Sequence, residues 1–202
     1  MTYHYYYNEK HKDKPLLVLF HPTGGDEKSL IAYGEFLAPE SSILSIRGNV
    51  DEDGKLRYFK RLKLQQPDMD DLEARSNELY QFLESLIKEL GYQDNEVITL
   101  GYSNGANIIT ALNQIGSLFD YSLIAHGRKY LDKDLVNLNG KEVFISLGEN
   151  DENIDPDQTR QLAKEYEQAG ANVKVFVHQD GHNFDRLELV AMQQWLAKKG
   201  VN

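Results

Sequence analysis

The sequence contains no cysteine, and this absence removes several kinds of chemistry at once. Disulfide bonds, thiolate-bound metal ions and cysteine nucleophiles are all excluded. Covalent catalysis by this chain must therefore use another nucleophile, such as serine. Because cysteine-free proteins occur in every compartment, the absence does not by itself locate the protein.

Long apolar segments and basic charge are also scarce. No apolar run approaches the roughly 20 residues that a membrane-spanning helix requires. The 22 lysines and arginines are outnumbered by 32 aspartates and glutamates, which gives a formal net charge of −10. Such a charge argues against nucleic acid or an anionic membrane surface as a partner. The N-terminus lacks the basic leader and apolar core of a signal peptide, so we expect a cytoplasmic protein.

The chain does contain an alternation of strand-like and helix-like segments. Its 202 residues suit one domain, which we place over residues 1–202. The continuous apolar run at residues 16–20 is typical of a parallel strand covered on both faces. Five further strands are predicted at residues 43–46, 96–100, 121–125, 142–147 and 173–177. The tyrosine-rich N-terminus is a candidate edge strand.

Helix-like segments lie between several of these strands. Apolar residues at 79–90 recur at three- and four-residue steps, and Gly91 is a candidate C-terminal cap. Asp155 followed by Pro156 predicts the start of another helix. The alternation predicts a mostly parallel central sheet of about six to seven strands with helices on both faces. No apolar insertion is long enough to form a large lid.

The most informative motif is Gly-Tyr-Ser-Asn-Gly, centred on Ser103. It follows a strand-like run at residues 97–100 and precedes a helix-compatible run at 106–112. Strand, sharp turn and helix in this order are the context of a nucleophile elbow, whose turn lifts the serine hydroxyl clear of the sheet. The two glycines carry no side chains, so strand and helix can approach closely. Ser103 is therefore the candidate nucleophile.

A serine hydroxyl needs a base to take its proton and an acid to orient that base. In α/β-hydrolases the chain order is serine, acid, histidine. The strand at residues 142–147 runs into an acidic loop, and the strand at 173–177 runs into a glycine-histidine turn. We assign Asp151 as the orienting acid and His182 as the general base and subsequent general acid.

Other residues near these two positions remain as alternatives. The other acids of the loop are Glu149, Glu152 and Asp155. Asp155 is better explained as a helix cap, and Asp151 holds the first position that can turn back toward the histidine. His178 ends its strand, so we expect it in the sheet or on its surface. His178 and His182 would not share a helix face and lack further ligands, so we expect no metal.

The loop at residues 21–27 follows the first strand and is the expected source of an oxyanion donor. Pro22 has no N–H, so the backbone N–H of Thr23 is our candidate, together with that of Asn104 directly after the nucleophile. Gly24 lets the loop pass close to the substrate. Neither a P-loop lysine nor a Gly-x-Gly-x-x-Gly helix start is present, so we expect no cofactor.

Together these motifs resemble the phospholipase/carboxylesterase family of α/β-hydrolases, most closely its small bacterial MhqD-type carboxylesterases. The matching segments are His-Pro-Thr-Gly-Gly-Asp-Glu at 21–27, Ser-Ile-Arg-Gly-Asn at 45–49, Gly-Tyr-Ser-Asn-Gly-Ala-Asn at 101–107, Gly-Glu-Asn-Asp at 148–151 and Asp-Gly-His at 180–182. The resemblance implies an α/β-hydrolase fold and cofactor-free ester hydrolysis, and it supports the same three catalytic residues. The chain departs from the family's usual pattern at two positions. It has Pro22 where the family usually has glycine, and Asp155 where the family commonly has proline.

The expected activity is that of a serine carboxylesterase, which hydrolyses small carboxylic esters through an acyl-serine intermediate. The expected substrate contacts lie within these motifs, at His21, Gly24, Arg47 and Tyr102. The alternatives are a thioesterase or lysophospholipase-like activity, another α/β-hydrolase reaction at the same residues, and a non-catalytic binding protein. Dienelactone hydrolases typically use a cysteine, which this chain lacks. The expected partner is a small-molecule ester, and a homodimer is compatible with the sequence.

Two polar segments follow strand ends on the same side of the predicted sheet, where open α/β sheets bind ligands. Residues 47–70 form either a solvated excursion or a wall of the substrate pocket, and residues 127–130 are a second candidate wall. The basic residues of both segments hint at an anionic substrate, although such charges often only solvate a loop.

Overall fold

The computed structural model describes residues 3–201, and this part of the chain contains eleven strands and five helices. The strands are β1 (Tyr5–Asn8), β2 (Leu16–Phe20), β3 (Ser42–Ile46), β4 (Val50–Glu52), β5 (Lys55–Arg57), β6 (Arg61–Lys63), β7 (Gln66–Pro67), β8 (Val97–Tyr102), β9 (Tyr121–Ala125), β10 (Glu142–Gly148) and β11 (Asn172–His178). The helices are α1 (Ile31–Leu37), α2 (Met69–Glu89), α3 (Asn104–Leu112), α4 (Pro156–Gln168) and α5 (Arg186–Lys198).

Seven of the strands form a central sheet in the order β1-β3-β2-β8-β9-β10-β11. Every neighbouring pair is parallel except β1 with β3, where the tyrosine-rich N-terminal strand closes the edge in antiparallel register. The predicted mostly parallel sheet and its N-terminal edge strand are therefore confirmed. Since the six parallel strands point the same way, their carboxyl ends meet at one edge, where loops can converge on a site.

Helices cover both faces of this sheet, as the continuous apolar strands predict. In β2, Leu16, Val18 and Phe20 belong to the buried cluster that includes residues of α2, α3 and α4, whereas Leu17 and Leu19 belong to the cluster that includes residues of α1 and α5. None of the helices in the described region is long and apolar enough to span a bilayer.

Two helices differ from the sequence-based expectation. Helix α1 was not predicted, because it contains Gly34 and its N-cap residue Leu30 makes no side-chain capping bond. The helix packs closely on the sheet, since a β-carbon on Gly34 would lie 3.0 Å from Leu17 of β2. Helix α2 begins ten residues before the apolar stripe, after Asp68 caps it by accepting the Asp71 N–H at 3.1 Å.

The polar segment at residues 47–70 folds into two small antiparallel hairpins, β4 with β5 and β6 with β7, outside the central sheet. A short contact anchors the first hairpin, because the main chain of Gly48 packs against the carbonyl of Arg57 with no room for a β-carbon. Within residues 3–201 no large lid is evident, in agreement with the predicted fold class.

Candidate active site

Ser103 lies at the sharp turn between β8 and α3, with a φ of +54° that a non-glycine residue rarely adopts. The flanking glycines make this turn possible. A β-carbon on Gly105 would lie 1.9 Å from the Phe20 carbonyl oxygen, and one on Gly101 would lie 2.5 Å from the Gly105 backbone. The predicted close approach of strand and helix is therefore present, and the turn has the form of a nucleophile elbow.

The three residues selected from the sequence lie together at the carboxyl edge of the sheet. His182, in the loop after β11, places Nε2 2.9 Å from Ser103 Oγ and Nδ1 2.7 Å from Asp151 Oδ2. Asp151 follows β10. When Nδ1–H donates to the carboxylate, Nε2 is left free to accept the serine proton. The arrangement can therefore activate a serine hydroxyl.

Asp151 is held by four hydrogen bonds. Its Oδ1 accepts the backbone N–H groups of Asn153 at 2.8 Å and Ile154 at 3.0 Å, and its Oδ2 faces both His182 and the Nδ1 of His126 at 2.9 Å. Burial acts to raise the pKa of Asp151, but the hydrogen bonds from the two histidines and Ile154 outweigh it and hold the pKa well below its usual value. Asp151 is therefore an ionised acceptor.

His126 connects Asp151 to a second buried carboxylate. Its Nε2 lies 3.1 Å from Glu188 Oε1, and neither side chain is exposed to solvent. Burial opposes protonation of His126, but the hydrogen bonds to Asp151 and Glu188 prevail and raise its pKa to about 9. Glu188 also accepts the Asp185 N–H in the capping box of α5. Protonated His126 thus joins Asp151 to Glu188 in the first turn of α5.

Neither His126 nor Glu188 is expected at the site from the sequence. His126 directly follows β9, at the same edge of the sheet as Ser103 and Asp151, and this position was the available signal. Its φ of +51° marks a second strained residue at that edge. In the sequence, Glu188 shows only the pattern of a helix capping box, and that pattern does not indicate its contact with His126.

Three groups of side chains in the described region are close enough to hold a metal ion. They are His126–His178–Glu188, His126–Asp151–His182 and His178–Asp180–Asp185. In the first two groups both nitrogens of His126 face carboxylates, so a protonated ring has no lone pair for a metal. His178 ends β11 and is buried, with Nε2 3.6 Å from Glu188 Oε2. None of the three groups contains both His178 and His182.

The site opens into a cavity of about 370 Å³. Its lining comes from the elbow, the loop after β2, the loops that carry Asp151 and His182, and both polar segments that were predicted as candidate walls. The lining residues are Pro22, Thr23, Arg57, Arg61, Leu64, Gln65, Tyr102, Ser103, Asn104, Asn107, Arg128, Tyr130, Asn153, Ile154 and His182. Residues 47–70 are therefore a wall of the cavity, and residues 127–130 contribute two of its side chains.

Two backbone N–H groups are available beside Ser103. Asn104 is the first residue of α3, so its N–H lies at the positive end of the helix. Thr23 lies in the loop after β2, and its Oγ1 accepts Arg57 Nη1 at 2.6 Å. Within residues 3–201 neither backbone N–H donates to another group. Both residues predicted as oxyanion donors therefore line the cavity with unpaired amides.

Tyr102, one of the four predicted substrate contacts, does line the cavity. Its hydroxyl donates to the backbone carbonyl of His182. Its ring centroid lies 5.6 Å from those of His182 and Phe184. Tyr102 is therefore placed both to meet a ligand and to support the His182 loop.

His21, a second predicted contact, is buried and does not line the cavity. Its Nδ1 donates to the Pro22 carbonyl at 2.7 Å, and its Nε2 accepts the Gly48 N–H at 2.9 Å. Burial lowers its pKa, in keeping with a neutral ring. Because both nitrogens are engaged by the main chain, we correct its predicted role from substrate contact to support of two loops.

Gly24 and Arg47 also lie away from the cavity lining. Gly24 has a φ of +82° and donates its N–H to the Leu56 carbonyl at 2.9 Å, which joins the loop after β2 to the β4–β5 hairpin. Arg47 forms a bidentate ion pair with Glu27, with Nη2 2.7 Å from Oε1. Their predicted substrate contacts are corrected to structural roles in the same way.

Comparison with known proteins identifies the family. The sequence model of the dienelactone hydrolase family matches residues 53–190, a range that contains Ser103, Asp151 and His182. The chain belongs to the dienelactone hydrolase family. This member carries serine at the elbow and has no cysteine. It is 32% identical over 195 residues to the putative hydrolase MhqD of Bacillus subtilis strain 168, which covers 93% of this chain and 94% of MhqD.

Solved structures agree with this family. The Bacillus cereus carboxylesterase superposes on this dienelactone hydrolase family member with a TM-score of 0.93 and 35% identity, over 97% of this chain and 94% of that one. The structure of YahD with malic acid gives a TM-score of 0.92 and 30% identity, over 98% and 99% of the chains. The predicted resemblance to MhqD-type carboxylesterases is confirmed, and the protein is a hydrolase of the dienelactone hydrolase/carboxylesterase type.

Proposed function

We propose that the protein is a serine carboxylesterase that hydrolyses small carboxylic esters through an acyl-enzyme on Ser103. One observation carries the proposal: a continuous hydrogen-bonded series from Ser103 Oγ through His182 to Asp151, at a strained elbow that opens into a cavity. Neither the cavity nor the elbow alone would specify acyl transfer, but together they supply a nucleophile, a base and space for an ester.

In the proposed reaction, Ser103 Oγ attacks the ester carbonyl while His182 Nε2 takes its proton. Asp151 stays ionised and stabilises the imidazolium that forms. The amides of Thr23 and Asn104 donate to the oxyanion, and the imidazolium then protonates the departing alkoxide. Water, deprotonated by His182, attacks the acyl-Ser103 carbonyl. Expulsion of Ser103 releases the carboxylic acid and returns the serine proton.

The size of the cavity supports a small substrate. Its volume of about 370 Å³ lies at the lower end of the range for small-molecule sites. The structure of the similar protein YahD was solved with malic acid, which is itself a small molecule. We therefore propose short or medium acyl groups rather than long lipid chains. A strong preference for long-chain lipid esters would contradict this part of the proposal.

The decisive experiment compares wild type with Ser103→Ala on 4-nitrophenyl butyrate. The substitution should reduce kcat by at least about 10³-fold, because the nucleophile is lost while binding and the oxyanion donors remain. Ser117→Ala, at an exposed serine, is the matched control and should retain wild-type turnover. Unchanged hydrolysis by purified Ser103→Ala protein would refute the assignment.

A fluorophosphonate probe separates an esterase from a non-catalytic binding protein on the same scaffold. An activated serine should form a covalent adduct, which peptide mass spectrometry would locate at Ser103. Wild-type protein that neither reacts with the probe nor turns over a panel of esters and thioesters would favour the binding protein instead.

A further inference from the structure

Glu188 is a fully buried carboxylate near the proposed catalytic residues, and it does not line the cavity. It lies in the first turn of α5. Two imidazole rings face it, with Nε2 of His126 3.1 Å from Oε1 and Nε2 of His178 3.6 Å from Oε2. Because a buried charge is costly unless an opposite charge compensates it, the pairing of Glu188 determines what it can do.

His126 is the cation that compensates Glu188. Its ring is buried between Glu188 and Oδ2 of Asp151. Burial acts to lower the pKa of His126, but the two carboxylates prevail and raise it to about 9, so the ring is protonated at neutral pH. Neither ring nitrogen of His178, in contrast, makes a hydrogen bond to a described residue, and its Nδ1 lies 3.9 Å from the exposed Asp180. The closer ion pair of Glu188 is the one with His126.

Protonated His126 lies close to the ring that gains a charge during the proposed hydrolysis. His182 becomes an imidazolium when it takes the Ser103 proton. The ring centroids of His126 and His182 are 5.2 Å apart, and both rings face Oδ2 of Asp151. Two cations at one carboxylate oxygen repel each other, so His126 by itself would disfavour the imidazolium. The negative charge of Glu188 offsets this repulsion.

No other group that faces His126 in the described region supplies a second negative charge. Besides its two carboxylate partners, three rings have centroids 5.2–5.8 Å from its own, those of His182, His178 and Tyr102. A histidine ring has no anionic form near neutral pH, and burial raises the pKa of the Tyr102 hydroxyl above its usual value. Removal of the Glu188 charge would therefore leave Asp151 to balance both imidazoles.

We propose that Glu188 is a positioning residue for ester hydrolysis, which balances the charge of His126 and so leaves the charge of Asp151 to the imidazolium of His182. Glu188 acts through His126 and Asp151, since it does not itself line the cavity. The inference rests on the proposed esterase function and adds a remote charge that controls it.

The test follows the hydrolysis of 4-nitrophenyl butyrate by wild type and Glu188→Gln between about pH 6 and pH 9. Glutamine still accepts the Asp185 N–H, so the helix cap is retained while the charge is removed. At about pH 6 the uncompensated His126 cation should lower kcat about tenfold with little change in KM. At higher pH the variant should lose the His126 proton more readily than wild type does, and its kcat should recover to within about twofold of the wild-type value.

A purely structural defect predicts a different result, because it lowers kcat by a similar factor at every pH. Glu188→Asp keeps the charge, so it should retain more kcat than Glu188→Gln at about pH 6. His178→Gln removes the other imidazole that faces Glu188 and is the matched control. It should follow the wild-type pH profile.

A double variant separates charge balance from damage to the fold. His126→Asn removes the cation, tolerates the positive φ and provides a side-chain amide that can donate to Asp151. In that background Glu188→Gln should change kcat by about twofold or less, because no cation remains to be balanced. The double variant buries no unpaired charge at these two positions, so the comparison holds even where Glu188→Gln alone folds poorly.

The outcomes distinguish this inference from the esterase proposal. The role of Glu188 alone would be overturned if Ser103-dependent hydrolysis were present and Glu188→Gln left kcat unchanged, lowered it equally at all pH values, or lowered it as much beside His126→Asn as alone. Absence of both wild-type turnover and fluorophosphonate labelling would overturn the esterase proposal, and this inference with it.

Discussion

His126 and His182 face the same oxygen of Asp151, at 2.9 Å and 2.7 Å. His182 approaches from the cavity and His126 from the buried side, where Glu188 holds its other nitrogen. The carboxylate is therefore fixed between two imidazoles, one beside the proposed nucleophile and one in the protein interior. This second histidine makes the stability of the site dependent on pH.

His126 should stabilise the protein only while it is protonated. Its pKa rises from 6.5 to about 9 on folding, so its contribution is complete below pH 6.5 and is lost as the pH rises through 9. The loss should be on the order of 3 kcal/mol in the free energy of unfolding, measured by urea denaturation at pH values from about 6 to 10.

His126→Asn tests the origin of that slope. Asparagine tolerates the positive φ at this position, so the backbone can be retained while the titrating ring is removed. The variant should be less stable near neutral pH and should lose less stability between about pH 7 and 9 than wild type does. His11→Asn, at an exposed histidine, should keep the wild-type slope. An identical slope in His126→Asn would show that His126 is not the titrating group.

Glu188→Gln should lower the pKa of His126, because it removes one of the two carboxylates that favour the protonated ring. Glutamine can still accept the Asp185 N–H, so the helix cap is retained. The titration of His126 can be followed by the pH-dependent NMR shifts of its ring protons. Asp185→Asn, which keeps the charge at Glu188, is the matched control and should leave that titration nearly unchanged. An unaltered His126 titration in Glu188→Gln would contradict the proposed pairing.

Ser103, Asp151 and His182 could be predicted because each follows a recognisable strand and the three occur in a fixed order. The order encodes the geometry, since parallel strands bring their carboxyl-end loops to one edge. His126 also ends a strand at that edge, but no motif surrounds it. Its raised pKa depends in part on Glu188, which is 62 residues away and buried, and single-sequence patterns do not reveal such a contact.

Prediction from the sequence is similarly limited for the residues near the cavity. A motif indicates that His21 and Arg47 belong to the site, but it does not distinguish a side chain that touches the ligand from one that supports a loop. That distinction depends on burial and partners: the main chain engages both nitrogens of His21, and Glu27 pairs with Arg47. For Arg57 the sequence shows a charge, whereas only the structure shows that its guanidinium donates to two neutral groups, Thr23 Oγ1 and the Phe59 carbonyl.

Gly105→Ala should disrupt the elbow. The added β-carbon would lie 1.9 Å from the Phe20 carbonyl oxygen, which belongs to the central sheet and cannot move away cheaply. We expect a loss of about 3 kcal/mol or more in the free energy of unfolding, at the upper end of overpacking effects. Gly140→Ala is the control: it meets no atom within 4 Å and should cost about 1 kcal/mol, from its positive φ alone. Equal losses in the two variants would show that the close approach at Gly105 is not required.

Tyr102→Phe should impair turnover more than binding. The Tyr102 hydroxyl donates to the His182 backbone carbonyl, so its removal loosens the loop that places the proposed base against Ser103. We expect kcat for 4-nitrophenyl butyrate to fall about three- to tenfold with a smaller change in KM, as the loss of one hydrogen bond implies. Tyr33→Phe is the matched control, because Tyr33 stacks on Phe184 beside Tyr102 and its hydroxyl makes no hydrogen bond to a described residue. If both variants lowered kcat equally, the effect would come from the shared aromatic packing rather than from the bond to His182.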